Sequence, residues 1–436
     1  MPDSIQQIYS RGIYHALPTF PPHIKDLTAI VTGANGISGA YMLRVLAQAP
    51  TRWKRIICLS RRPPLVEGGL PSNAEHIAVD FLTSPQEIAQ VLRDNNVTAV
   101  DYIFFFSYIQ TAPQPGQGLW SDAAEMARVN TLLLTNFLSA LPLASLTPRR
   151  IMLQTGAKNY GVHLGPTKLP QEESDPRVDQ FEPNFYYPQE DALFAFCQSG
   201  GSAGTSWNIC MPGPILGAVP DAAMNLAFPL AVYAAVTAHM KTALEFPGDI
   251  ASWQSYTSMS SSMLNAYQEE WAVLTPAAAN QKFNTWDGSA FTWEGFWPRL
   301  AGWYGVEWKG PDEKAKYAER ETRFNPRGYG GKGVSRRKFT FVEWAGRKEV
   351  ADAWREVAQQ DGLVQKELRE LEIERVFGFL DGSVCRAGPL IFSSDKARKL
   401  GWHGFVDSSE SLLEVFDDLA RLRMIPPVPK VEVRFN

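Results

Sequence analysis

Cysteine is scarce and scattered in this chain. Cys58, Cys197, Cys210 and Cys385 form no CxxC pair and stand beside no histidine cluster. Neither a disulfide framework nor a metal site is expected, and a reducing, cytoplasmic setting is the plain reading. An excess of positive charge is missing too. The net charge of −4 leaves no electrostatic footprint for nucleic acid or an anionic membrane as partner. Long hydrophobic runs are absent: the longest apolar stretch, residues 224–240, contains Pro229 and His239. It falls short of a membrane span and reads as a buried helix. The N-terminus lacks the charged-then-apolar layout of a secretory signal.

What is present points to a large α/β protein. A chain of 436 residues exceeds the size at which one hydrophobic core stops growing, so two units are expected. The 13 tryptophans suit an apolar cavity as well as a core. After an irregular arm over 1–27, with Pro18, Pro21 and Pro22, strand-like and helix-like segments alternate. Strands are predicted at 27–32, 55–60, 76–80, 101–106 and 150–154, with helices near 38–49, 85–95 and 122–141. The βαβ alternation implies a Rossmann-like, doubly wound parallel sheet over 28–217. Beyond Gly217 the pattern changes to longer helical segments with Trp-rich connections. A smaller, mostly helical substrate-binding domain is therefore expected over 218–436. Residues 325–338 are glycine-rich and basic. One such patch in an acidic protein reads as a loop rather than an RNA-binding element.

Gly33-Ala34-Asn35-Gly36-Ile37-Ser38-Gly39 forms a GxxGxxG turn between the first strand and first helix. Gly33, Gly36 and Gly39 let the backbone turn tightly and approach a pyrophosphate, while Asn35 and Ile37 lead into a helix N-terminus that favours the anion. The end of the second strand selects the cofactor. An acidic residue there would hold the ribose hydroxyl of NAD, but this chain has Ser60-Arg61-Arg62. Guanidinium groups match a 2′-phosphate, so NADPH is expected. Asp80 and Phe81, closing the third strand, occupy the usual place for adenine contacts.

A phenol beside a fixed ammonium is a common device for protonating an oxygen that gains charge on hydride transfer. Most short-chain dehydrogenases space the pair as Tyr-x-x-x-Lys, and no such tetrad exists here. Instead Lys158 stands in Leu153-Gln154-Thr155-Gly156-Ala157-Lys158-Asn159-Tyr160, and Tyr186 and Tyr187 follow in Asn184-Phe185-Tyr186-Tyr187-Pro188-Gln189-Glu190-Asp191. With the glycine turn and Ser60-Arg61-Arg62-Pro63, these segments resemble the progesterone 5β-reductase/iridoid synthase-like (PRISE) enzymes within the extended short-chain dehydrogenases/reductases. Weaker echoes run through Phe246-Pro247-Gly248 and Phe283-Asn284 to Lys399-Leu400-Gly401-Trp402-His403-Gly404-Phe405.

The resemblance implies NADPH-dependent 1,4-reduction of an enone or enal on a small apolar carbonyl-containing substrate, a secondary metabolite, with ring closure coupled in some relatives. It also implies a homodimer. Carbonyl reduction and a non-redox cyclase or isomerase role are the alternatives. Tyr187 takes the place of the catalytic phenol and Lys158 that of its ammonium partner, with Tyr186 the alternative phenol. Ser107, Gln154, Pro212 and Ile215 match cofactor positions, and Tyr108, Met224 and Phe405 match substrate-pocket positions. Three departures stand out. Met211 replaces the usual arginine before the proline, Asn159 replaces the usual histidine, and the region 310–340 is longer than in plant members, which suggests an added lid.

Overall fold

Short apolar runs buried on both sides form the centre of a parallel sheet, because helices cover both faces and leave no side for alternating polar residues. The computed structural model describes residues 6–113, 120–199, 204–221, 224–368 and 372–430. The arm begins with a hairpin, β1 (Ile8–Arg11) and β2 (Tyr14–Pro18), rather than irregular chain. Gly12 supplies the left-handed turn at φ 57°, and Tyr14 and Leu17 of β2 are buried in one core with Leu27 and Trp53. There follow β3 (Leu27–Thr32), α1 (Ile37–Ala47), β4 (Trp53–Ser60), β5 (Ala74–Ala78), α2 (Pro85–Asp94), β6 (Tyr102–Phe105), α3 (Ala123–Leu143), β7 (Arg150–Gln154), α4 (Tyr186–Gln198) and β8 (Ser206–Pro212). Helix α2 starts where the sequence dictates: Ser84 and Glu87 form a reciprocal capping box and Pro85 opens the first turn.

The main sheet has seven strands, all parallel, and strand Gln281–Thr285 lies at its edge beside β8. Inward from that edge the order is β8, β7, β6, β3, β4 and β5. The strand order reverses between β6 and β3, and a crevice outside the carboxyl ends of strands is where such sheets bind ligands. The seventh strand comes from beyond Gly217, and helix Ser262–Leu274, also from beyond it, packs on α1. The chain therefore crosses the expected boundary and returns to the first unit part-way through its helical region.

That helical region holds most of the tryptophan. Helix α5 (Ala227–His239) is buried on nearly every side, as the apolar stretch predicts. It packs in one core with Trp253, Trp293, Trp297, Trp344 and Trp354. Near the expected lid, Ala318–Glu321 and Val334–Arg337 pair as an antiparallel hairpin. The chain inside this hairpin docks on the turn after Lys158: Phe324 N donates to Leu164 O at 3.0 Å and Arg327 N to Pro166 O at 3.0 Å. No helix among the described residues is long and apolar enough to cross a membrane.

Candidate active site

The glycine turn closes because its glycines have no room for a side chain. Gly33 adopts φ 60°. A Cβ at Gly39 would stand 2.4 Å from the Gly33 carbonyl oxygen, so only glycine lets α1 start this close to β3. Gly36 caps α1 without a side-chain acceptor, and the first turn carries no acidic residue. The helix N-terminus thus keeps backbone N–H groups and a positive dipole end for an anion. Asn35 and Ile37 are half-buried here. The Thr32 hydroxyl accepts from Phe106 N at 3.0 Å and Ser107 N at 3.2 Å, fixing Ser107 beside the turn.

At the end of β4 the Ser60 hydroxyl donates to Arg62 O at 2.7 Å. This shapes a turn that leaves Arg61 and Arg62 exposed, neither of them ion-paired among the described residues. Asp80 holds its own turn, accepting from Leu82 N at 2.9 Å. The Phe81 ring is directed into the core against Phe137 and Phe105, which leaves only its backbone for contact with a cofactor. Gln154 ends β7 with a buried side-chain oxygen that has no donor among the described residues. A buried acceptor without a donor is costly, on the order of 1–3 kcal/mol, so this atom suits a bound group that brings one. The cradle, the exposed guanidinium pair and this open acceptor together fit a phosphorylated dinucleotide.

Lys158 lies in a 3-10 turn, Ala157–Tyr160, directly after β7. Its ammonium sits against the Trp120 indole. Burial holds the amine well below the usual lysine range, and the Glu182 carboxylate opposes that shift. Asn184 ties this turn to the tyrosine segment: its amide donates to Lys158 O at 3.0 Å and its oxygen accepts from Tyr186 N at 3.1 Å.

The two tyrosines lie in the first turn of α4, not on an extended strand, so helix phase separates them. The preference for Tyr187 rests on the resemblance, and the two phenols differ in what they touch. The Tyr187 hydroxyl donates to Asn159 O at 2.7 Å and accepts from Val178 N at 3.0 Å, inside an apolar group with Leu164, Val178, Phe181 and Phe324. Burial pushes this phenol up to about 12, although the Val178 bond pulls it down. Tyr186 packs with Met126 and Phe185, beside Tyr108 and Trp120, and its hydroxyl has no hydrogen-bond partner among the described residues. A side chain at Gly156 would meet that hydroxyl at 3.0 Å and the Pro212 carbonyl oxygen at 3.4 Å. The free phenol therefore sits where β7 and β8 end, at the mouth of the sheet. Burial raises its pKa, so it is a neutral donor.

Tyr108 belongs to the same group. Its hydroxyl donates to Gln110 Oε1 at 2.6 Å and accepts from Trp120 Nε1 at 2.9 Å. Pro212 closes β8, and Ile215 begins a short strand paired to Ser260. Met224 is half-buried just before α5. Phe405 lies outside that aromatic group. Its backbone pairs with His15 of β2, its ring lies 5.3 Å from the His15 ring, and it is 44% exposed. The N-terminal hairpin, unforeseen in the sequence, supplies these contacts.

Several residues outside the expected set hold the site together. Asn130, fully buried, accepts from Ile109 N at 2.9 Å and donates to Ile109 O at 2.9 Å, while its own carbonyl accepts from Gln189 at 2.7 Å. Glu190 is buried and receives Arg177 at 3.0 Å, Lys282 at 2.6 Å and Asn159 Nδ2 at 2.9 Å. Its place in the tyrosine motif was the only signal for it in the sequence. Asn159 Nδ2 also lies 3.2 Å from Met211 Sδ, so two of the departures from the family pattern touch each other. Among the described residues no group of histidine, cysteine and carboxylate side chains could hold a metal.

Comparison with known proteins matches residues 29–322 to the PRISE-like Rossmann-fold domain. A short chain dehydrogenase of Penicillium aethiopicum is 30% identical, over 92% of this chain and 99% of that protein. An (S)-8-oxocitronellyl enol synthase of Catharanthus roseus is 29% identical, over 91% and 92% of the two chains. A 3-oxo-Delta(4,5)-steroid 5-beta-reductase of Arabidopsis thaliana is 28% identical, over 93% and 95%. Among solved structures, a UDP-glucose 4-epimerase of Thermotoga maritima aligns over 91% of this chain and 97% of its own, with TM-score 0.53 and 13% identity. That likeness speaks for the fold alone.

Proposed function

The chain belongs to the PRISE-like Rossmann-fold family, and from that premise we propose that it is an NADPH-dependent reductase of a conjugated carbonyl compound. The observation that carries the reading is the Tyr186 hydroxyl, without a hydrogen-bond partner among the described residues, beside Gly156 and the Pro212 carbonyl, in the crevice mouth that also holds buried Lys158. The relatives support the substrate class: one is a 3-oxo-Delta(4,5)-steroid 5-beta-reductase, another an (S)-8-oxocitronellyl enol synthase.

The cofactor, when bound, supplies hydride to the β-carbon of the acceptor. Negative charge then develops on the carbonyl oxygen. Tyr186 is the donor proposed to meet it, and a positioned donor of this kind contributes about 10²–10⁴ in rate. Lys158 stands in a region that Trp120, Tyr108 and Phe185 keep apolar, where any charge it carries acts far more strongly than in water, and where burial works against that charge. Arg61 and Arg62 select the 2′-phosphate.

The test is cofactor oxidation with NADPH and with NADH against a panel of enals, enones and isolated ketones, followed by product analysis. We expect NADPH to be preferred and the product to keep its carbonyl while losing the C=C bond. An allylic alcohol would instead identify carbonyl reduction. Conversion of an acceptor without NADPH consumption would identify a cyclase or isomerase.

A further inference from the structure

A guanidinium drawn into the body of a protein needs an acceptor, because an unpaired cation away from water is costly. Arg150 finds three at the start of β7, donating to Ala272 O at 2.6 Å, Thr275 O at 2.9 Å and Ser206 Oγ at 2.9 Å. Arg177 reaches Glu190 and Asp191. Arg375, on helix Ile373–Val384, pairs with Asp221 at 2.6 Å. Arg386, just beyond that helix, is the exception. It is half-buried, and its Nε is shut off from solvent with no hydrogen-bond acceptor. No ion pair or hydrogen bond meets its guanidinium among the described residues, and no carboxylate offsets the cost of its burial.

The place of Arg386 in the fold says what is to meet it. Residues 385–390 form a strap between two segments that border the crevice. On one side a Cβ at Gly333 would stand 2.8 Å from Ala387 Cβ and 3.0 Å from Pro166 Cγ, so the strap adjoins the turn after Lys158. On the other, Leu390 Cδ2 lies 3.5 Å from the place of a Cβ at Gly213. Leu390 is fixed there by backbone bonds, donating to Tyr256 O at 3.0 Å and accepting from Ser258 N at 2.8 Å. Gly213 directly follows Pro212, whose carbonyl lies beside Gly156 and the Tyr186 hydroxyl. The sites for the cofactor's phosphates follow β3 and β4, and β7 and β6 stand between these strands and β8. The strap therefore borders the part of the crevice left to the substrate.

We propose that Arg386 determines specificity by binding a carboxylate on the acceptor, separate from the carbonyl that Tyr186 serves. Nε and one Nη form the fork that takes both oxygens of a carboxylate, and Nε is the donor left open here. One guanidinium balances one monoanion. The substrate class is thus a conjugated carbonyl compound that is also an organic acid. An uncharged analogue leaves the cation unpaired and binds less well.

The inference rests on the reductase reading for its substrate, so one arm of the experiment needs no turnover. The full-length protein loaded with NADP⁺ is titrated calorimetrically with saturated oxo acids of increasing length and with their methyl esters. At the fitting length the acid should bind about ten- to a hundredfold more tightly than its ester. Arg386→Met should remove that difference while affinity for NADPH stays in place. Arg386→Lys keeps the charge without the fork and should restore part of the preference, and it serves as the variant should the methionine one fail to fold. In the second arm the matching unsaturated acids and esters are compared as acceptors. The advantage of the acid should appear in KM rather than kcat and vanish in Arg386→Met. Equal binding of acid and ester at every length, or a preference that survives in folded Arg386→Met, overturns the inference even where an enone is reduced. Loss of NADPH affinity in that variant overturns it as well, by assigning the guanidinium to the cofactor. An acid preference carried by Arg386 in a protein that reduces no acceptor sustains the site and removes the reductase reading.

Discussion

Tyr186 and Tyr187 are adjacent in sequence, share one helical turn, and face two different environments. On one side Tyr186 borders Tyr108, Trp120, Met126 and Phe185 with its hydroxyl unpartnered among the described residues. On the other, Tyr187 is enclosed by Leu164, Val178, Phe181 and Phe324, and its hydroxyl both donates and accepts. A phenol bonded twice to backbone can stitch segments together but has little left to offer a substrate. A phenol without such bonds has the reverse capacity. The same motif thus contains one phenol with no hydrogen bond among the described residues and one tied to backbone, and the phase of α4 decides which is which.

The largest expected effect comes from the side facing Trp120. Tyr186→Phe should lower kcat by about 10²–10⁴ with NADPH affinity unchanged, as read by cofactor fluorescence titration. Equal loss of binding and turnover would make Tyr186 a packing residue and collapse the contrast. Tyr187→Phe should act in the opposite currency of observables. It leaves Val178 N–H and Asn159 C=O without partners, at about 1–3 kcal/mol of stability, with kcat close to native. Denaturant unfolding would read the first and steady-state kinetics the second. A collapse of kcat in a fully stable Tyr187→Phe would return the catalytic role to that residue.

The parts of this arrangement that were legible in the sequence are those set by local rules. The glycine turn, the apolar strands over Leu27–Thr32 and Arg150–Gln154, and the buried helix α5 all follow from backbone sterics and hydrophobic pattern. Long-range choices were not legible. Strand Gln281–Thr285 joins the sheet because β8 offers an open edge, and nothing near residue 281 announces it. The preference for Tyr187 over Tyr186 rested on family position, and the motif alone does not show the phase of α4, where adjacent side chains lie about 100° apart. The contact of Phe405 with the β1–β2 hairpin was not legible, because the prolines of that stretch suggested irregular chain. Arg386 falls outside the lysine and tyrosine motifs, and only folding brings its segment beside the turn after Lys158.

The smallest expected effect concerns the contact between Asn159 and Met211, on the same side of the Lys158 turn as Tyr187. The family resemblance places histidine and arginine at these positions. Here the Asn159 amide reaches Glu190 at 2.9 Å and Met211 Sδ at 3.2 Å, while Arg177 and Lys282 already meet the buried charge of Glu190. Met211→Arg alone would bring a third cation toward that carboxylate and set a guanidinium against an amide N–H. Asn159→His alone would set an imidazole against a thioether. Together, one imidazole nitrogen can donate to Glu190 while the other accepts from the guanidinium, so the two substitutions should compensate each other. We expect each single variant to lose stability and the double variant to lose less than their sum, by about 0.5–1 kcal/mol in a denaturant-unfolding cycle. Additivity within about 0.3 kcal/mol would mean that the two departures are independent. It would also mean that the region around Glu190 tolerates either pattern without rearrangement, leaving the contrast between the two tyrosines to rest on α4 alone.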